Sequence, residues 1–116
     1  MSDCIFCKIV AGEIPAERVY ENDQVVAIRD IAPVAPVHVL ILPKAHYPNI
    51  LALDGGEGDA ALLAGVQRAV REVARKEGVE TSGFRLIINC GEDGGQTVPH
   101  LHYHLLGGRT LGARLV

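Results

Sequence analysis

The sequence predicts an α+β fold with an antiparallel sheet. Three observations lead there. Short β-prone segments follow one another through tight turns instead of helical crossovers. One long stretch, from about Glu57 to Lys76, switches to a helical period and stands apart from the strands. Near the C-terminus, His100-Leu101-His102-Tyr103-His104 alternates two residue types strictly. In a strand that alternation sends three imidazoles to one face and Leu101, Tyr103 and Leu105 to the other.

Taken in order, Cys4, Ile5, Phe6, Ile9 and Val10 are spaced as a short amphipathic helix over residues 3–11, which Gly12 can end. Arg18-Val19-Tyr20-Glu21 reads as a strand, Asn22-Asp23 as a turn, and Gln24 to Asp30 as the second arm of a hairpin. Pro33 and Pro36 impose an irregular crossing. His38 to Leu42 is apolar on both faces, which predicts a central strand. In the helical stretch, Leu62, Val66, Ala69, Val70 and Val73 share one face, Arg68, Arg71, Glu72 and Arg75 lie opposite, and Gly78 stands at the C′ position. Phe84 to Asn89 is another strand, and a turn over Gly91 to Gly95 leads into the histidine strand.

The 116 residues suit one domain with one core. With 48% hydrophobic residues and only 4% aromatics, that core must be built from Val, Ile, Leu and Ala. A net charge of −3 without a basic run argues against a nucleic-acid polymer as partner, while leaving a small anion open. The longest apolar stretch, Val34 to Pro43, is too short for a membrane span and is interrupted by Pro36 and His38. Met1-Ser2-Asp3-Cys4 lacks the form of a signal peptide, and three cysteines, an odd number, point to a reducing, cytoplasmic compartment.

Four groups carry chemistry. Cys4-x-x-Cys7 can supply two thiolates to a zinc ion, with His46 and His100 as the remaining ligands. The same pair also reads as two buried thiols beside Ile5 and Phe6. The loop Asn89 to Thr97 carries glycines that let backbone amides approach an anion; alone it reads as a hairpin turn, and beside the three histidines as a phosphate-binding loop. Asp30 ends a strand where a carboxylate could accept ribose hydroxyls or close a turn before Ile31-Ala32-Pro33. His38 is a core histidine unless it faces the other imidazoles.

The chain resembles the histidine-triad (HIT) family. His100-Leu101-His102-Tyr103-His104-Leu105-Leu106 matches the signature His-φ-His-φ-His-φ-φ, with φ apolar. Cys4 to Ile9, Asp30 to Pro33, His38 to His46 and Asp93 to Thr97 agree with it in order, so that residues 1–116 read as a single HIT domain. Gly94-Gly95-Gln96-Thr97 and Leu106-Gly107-Gly108-Arg109 are similar to the Hint branch of small nucleotide-binding hydrolases, more than to the dinucleotide-cleaving Fhit branch.

The resemblance implies about five antiparallel strands with one long and one short helix, and a homodimer. It implies a purine nucleoside monophosphate site, and hydrolysis of phosphoramidates or aminoacyl-adenylates without an organic cofactor. By position, His102 is the nucleophile, His104 touches the α-phosphate, and His38 lies behind His102. Asn89, Gly95, Gln96, Thr97 and Val98 cradle the phosphate, with the Thr97 hydroxyl on the leaving-group side. Asp30 holds the ribose, and Ile5, Phe6, Ile9, Ile14, Ile28 and Ile31 enclose the base. Cys4, Cys7, His46 and His100 match the zinc set of bacterial-type members. The chain departs from its relatives in having Thr97 for serine, Pro99 before the triad, and Ile28 without a ring to stack on a base. The role of the tail from Gly112 to Val116 is left open. A non-catalytic purine-nucleotide sensor is the alternative function, and a three-histidine metalloenzyme a further one.

Overall fold

A computed structural model describes residues 3–115. Met1 and Ser2 of the segment read for a signal peptide, and Val116 of the tail, lie outside the described residues. The hairpin forms where the sequence places it, between β1 (Arg18–Glu21) and β2 (Val25–Arg29). Its turn is made by Asn22, whose side-chain oxygen accepts the amides of Gln24 and Val25 at 2.9 and 3.0 Å. β3 (Val37–Pro43), β4 (Phe84–Ile88) and β5 (Tyr103–Gly107) complete one antiparallel sheet in the order β1-β2-β3-β5-β4. β3 is therefore the middle strand, and all its residues after Val37 are buried, as its two apolar faces require.

The sheet is covered unequally. α2 (Ala60–Lys76) lies on one face and contributes Leu62, Val66, Ala69, Val70 and Val73 to the main core. Val25, Ala27, Val39, Ile41, Tyr103 and Leu105 meet it from the strands. Its first turn, at Glu57–Asp59, is a tighter 3-10 turn, so the α-helix starts three residues later than the period alone indicates. Gly78 then leaves the helix at φ +74°, a conformation that favours glycine.

The opposite face carries a smaller cluster. There α1 (Ile5–Val10) lays Phe6 and Ile9 on Val26, Ile28, Leu40 and Leu42. Six residues are too few to hold a helix alone, so this apolar contact and the cap must hold it. The cap is Cys4, whose sulfur accepts the Cys7 amide at 3.3 Å. That N-cap-to-N3 spacing turns both thiols toward the start of the helix.

The strand does not run through the whole histidine row: β5 begins at Tyr103, and residues 98–102 precede the ladder. Pro99 has no amide to donate. The chain there is instead fastened by the His100 amide to the Val98 carbonyl at 2.8 Å and the Leu101 amide to the Tyr47 carbonyl at 2.7 Å. Alternation survives without the ladder, since Leu101 joins Tyr103 and Leu105 in the main core. Among the described residues no helix is long and apolar enough to cross a membrane.

Candidate active site and metal-binding cluster

All five histidines of the chain fall into two adjoining groups. The first gathers Cys4, Cys7, His46 and His100, whose ligand atoms lie within 4.8 Å of one another and could hold a metal ion. Cys4 Sγ is 3.3 Å and Cys7 Sγ 3.6 Å from His100 Nδ1, and Cys7 Sγ is 3.3 Å from His46 Nδ1. His100 is fully buried, whereas His46 is exposed at the rim. On its other side, His100 Nε2 stands 2.9 Å from the Pro43 carbonyl oxygen. A carbonyl only accepts, so the ring's proton is on Nε2 and the Nδ1 lone pair faces the sulfurs. Burial holds this imidazole below its ordinary pKa.

The second group is Asp30, His38, His102 and His104. His102 is 5% exposed and donates Nδ1–H to the His100 carbonyl at 2.7 Å. Its proton is thereby committed to Nδ1, which leaves the lone pair on Nε2. His38 is fixed in the opposite tautomer. The Val34 amide donates to its Nδ1 at 3.2 Å, so Nε2 carries the proton and donates to His104 Nδ1 at 3.0 Å. His104 in turn keeps its own proton on Nε2. Burial, with the neighbouring His102 and His38, pushes the His104 pKa down to about 4, and the Asp30 charge only partly opposes this. His104 is thus a neutral hydrogen-bond donor at neutral pH. The ligand atoms of Asp30, His38 and His104 also lie within 4.8 Å of one another. Through His38 Nε2–H the three form a hydrogen-bonded chain.

His38 does not lie behind His102, as its expected role requires: its partners are His104 and, at 3.4 Å, Asp30 Oδ2. The register explains this. His104 pairs with Leu40 and Leu106 pairs with His38, so the two imidazoles are diagonal neighbours on one face of the β3–β5 ladder. Asp30 takes up its turn reading: Oδ1 accepts the Ala32 amide at 2.8 Å, while Oδ2 lies 3.4 Å from His38 Nε2.

The predicted base contacts divide. Phe6, Ile9 and Ile28 are 7%, 7% and 3% exposed and belong to the smaller core, which makes them a floor instead of a clamp. Ile14 is half-buried at the edge of that core, whereas Ile5 and Ile31 are open at 46% and 100%. Phe6 also sets its ring edgewise against His100 and His102, at 5.7 and 5.0 Å between centroids.

In the glycine loop, Asn89 Nδ2 donates to the Gly94 carbonyl at 2.7 Å. A Cβ on Gly94 would stand 2.3 Å from the Cys90 carbonyl oxygen, and Gly95 sits at φ +76°, so both positions require glycine. Gln96 is used inside the loop. Its amide oxygen accepts from Gly91 N at 3.0 Å and its amide nitrogen donates to the Pro48 and Val98 carbonyls at 2.7 and 2.9 Å. Thr97 is exposed, and with half-buried Val98 it borders a hollow of about 440 Å³ beside Cys4, Ile5 and His46. Sequence reasoning missed Val34 and Pro43, which act through the backbone and carry no side-chain signal.

A five-stranded antiparallel sheet with this histidine arrangement defines the class of protein. The sequence profile of the HIT domain matches residues 11–111, and the chain belongs to the HIT family. A HIT-like protein of Synechococcus elongatus is 50% identical over 109 residues, covering 94% of this chain and 93% of that one. The purine nucleoside phosphoramidase of Escherichia coli is 42% identical over 113 residues, covering 97% and 93%. Among solved structures, a HIT family hydrolase from Clostridium thermocellum superposes with a TM-score of 0.93 at 46% identity, covering 100% of this chain and 99% of that one.

Proposed function

We propose that the protein hydrolyses phosphoramidates or aminoacyl-adenylates of purine nucleoside 5′-monophosphates through a covalent nucleotidyl-His102. One observation carries the reading: the 2.7 Å bond from His102 Nδ1–H to the His100 carbonyl, which leaves the Nε2 lone pair as nucleophile. Similarity to the Escherichia coli phosphoramidase supports the substrate class.

In the first step Nε2 attacks the α-phosphorus while the bond to the leaving group breaks in line; an amine leaves with a proton taken from solvent, an aminoacyl carboxylate as the anion. In the second, water attacks the same phosphorus and gives up a proton to solvent, the Nε2–P bond breaks and restores the imidazole, and the nucleoside monophosphate departs. Such transfers depend on positioning and on donors around the phosphoryl oxygens. His104 Nε2–H, backed by His38, supplies one donor. Asn89, Gly95, Gln96, Thr97 and Val98 form the cradle, Gln96 by shaping the loop and the Thr97 hydroxyl toward the leaving group. Asp30 turns to the ribose, and Ile5, Ile31 and Ile14 enclose the base over the floor of Phe6, Ile9 and Ile28.

Zinc is the ion that suits the first cluster. With Zn–S near 2.3 Å and Zn–N near 2.0–2.1 Å, tetrahedral geometry sets sulfur and nitrogen about 3.5 Å apart. The three sulfur–nitrogen separations are 3.3, 3.3 and 3.6 Å. Cys4, Cys7, His46 and His100 would hold the ion with four protein ligands, and its contribution there would be structural. Two thiol ligands fit a reducing cytoplasm. Residues 1–116 act as one domain, and two copies pair through the edge strand β4. That pairing is favoured by Phe84, Leu86 and Ile88, which share one face and are 39–41% exposed.

The test is turnover of a fluorogenic adenosine phosphoramidate, with rapid acid-free quenching and mass spectrometry. The expected result is an adenylyl adduct on residue 102 in the wild type. In His102→Ala, turnover is lost and AMP binding is kept. A wild type that binds AMP without turnover would instead be a nucleotide sensor.

A further inference from the structure

We propose that His100 is a positioning residue through which the cysteine cluster sets the tautomer and aim of His102. The inference rests on His102 being the nucleophile, and it begins from a residue with two attachments. The His100 ring belongs to the metal-binding cluster, with Nδ1 3.3 and 3.6 Å from the two sulfurs and Nε2–H on the Pro43 carbonyl at 2.9 Å. Its backbone carbonyl belongs to the active site, where it takes the His102 proton at 2.7 Å.

Strand pairing does not fix that carbonyl. β5 starts only at Tyr103, so His100 and His102 precede the ladder. The peptide is located by its own side-chain anchor, by the His100 amide on the Val98 carbonyl at 2.8 Å, and by the Leu101 amide on the carbonyl of Tyr47, the residue after the cluster's His46, at 2.7 Å. The anchor depends on α1, the six-residue helix that is capped by Cys4, carries Cys7 and sets Phe6 against the His102 ring at 5.0 Å. When the cluster holds its ion, ring, helix and carbonyl are tied together. When the cluster is emptied, the carbonyl is held less firmly, and part of the His102 population moves its proton to Nε2, where the nucleophilic lone pair had been. The same motion leaves β3, β4 and the His38–His104 chain in place, so substrate affinity should change little while the chemical step slows.

The test compares zinc-loaded wild type with Cys4→Ser/Cys7→Ser and with His46→Ala, each with its zinc content measured. His46→Ala removes the exposed ligand at the rim, so it reports even where the double variant fails to fold. Ring-nitrogen NMR of the resting protein at pH 8 reads the His102 tautomer without any catalysis. The wild type should be the Nδ1–H form alone. The zinc-free variants should mix in the Nε2–H form and lose about five- to tenfold in kcat, the scale of one hydrogen bond, with KM within about twofold. His46→Cys, which restores a ligand, should recover both readouts. A zinc-free, folded variant with unchanged His102 ring signals and wild-type kcat would overturn the proposal. Turnover surviving in His102→Ala would instead sink the nucleophile assignment and leave the tautomer result standing.

Discussion

His100 and His102 are two residues apart, both buried and both touched by the Phe6 ring, yet they carry their protons on opposite nitrogens. His100 faces a carbonyl with Nε2 and offers Nδ1 to the sulfurs, and His102 faces a carbonyl with Nδ1 and offers Nε2 to the site. Residue type and burial are nearly equal, so the backbone partner decides the chemistry. In the cluster nearest the N-terminus the soft donor set could hold an ion. In the neighbouring group, hydrogen bonds leave a lone pair on Nε2 of His102 and a proton on Nε2 of His104.

The sharpest way to break this comparison is to remove one imidazole from each side of the row. His102→Ala should lower kcat by at least about a thousandfold, as loss of a nucleophile does, while zinc content stays at wild-type stoichiometry. A large fall in zinc binding would mean that the two groups are a single metal site. Next in size, His104→Ala should cost about a hundredfold in kcat, the lower end for losing one aimed donor to a developing oxyanion. Single-turnover kinetics would locate that loss in the phosphoryl-transfer step. A loss confined to KM would make His104 a substrate anchor only.

The smallest effect concerns acid. His104 binds its proton near pH 4 in the folded protein, against 6.5 for an ordinary imidazole. Between those values the unfolded chain holds the extra proton, so folding stability falls as pH drops from about 6.5 to about 4 and is insensitive to this group above that window. Allowing for partial solvent screening, the loss is on the order of 2 kcal/mol. Urea midpoints across the range should follow it in the wild type and flatten in His104→Ala. Equal slopes in the two proteins would assign the acid sensitivity elsewhere.

Much of this arrangement is legible in the sequence because it is written in side-chain periodicity. The strands, the long helix, the C-x-x-C cap and the alternation of the histidine row all come from spacing. The rest is written in backbone atoms. The Val34 amide determines the His38 tautomer, and no pattern of residue types marks it. The Pro43 carbonyl does the same for His100. His38 takes His104 as its neighbour in place of His102 because facing pairs across β3 and β5 depend on register, which the sequence of either strand leaves free. The base contacts divide for a related reason. Ile28 and Ile31 are alike in composition, yet one lies inside a strand and the other on an open crossing, at 3% and 100% exposure.

The alternation of residues 100–105 also makes the motif intolerant of changes in length. Inserting a single residue after His102 would reverse the phase of the strand beyond it, turning the His104 imidazole toward the helix-covered core and Tyr103 into the place of His104. Point substitutions can weaken the protein by degrees, but a one-residue insertion or deletion there would remove the spacing of the histidine row and the core together. Exposed loops away from the site should tolerate changes in length far better than these few residues.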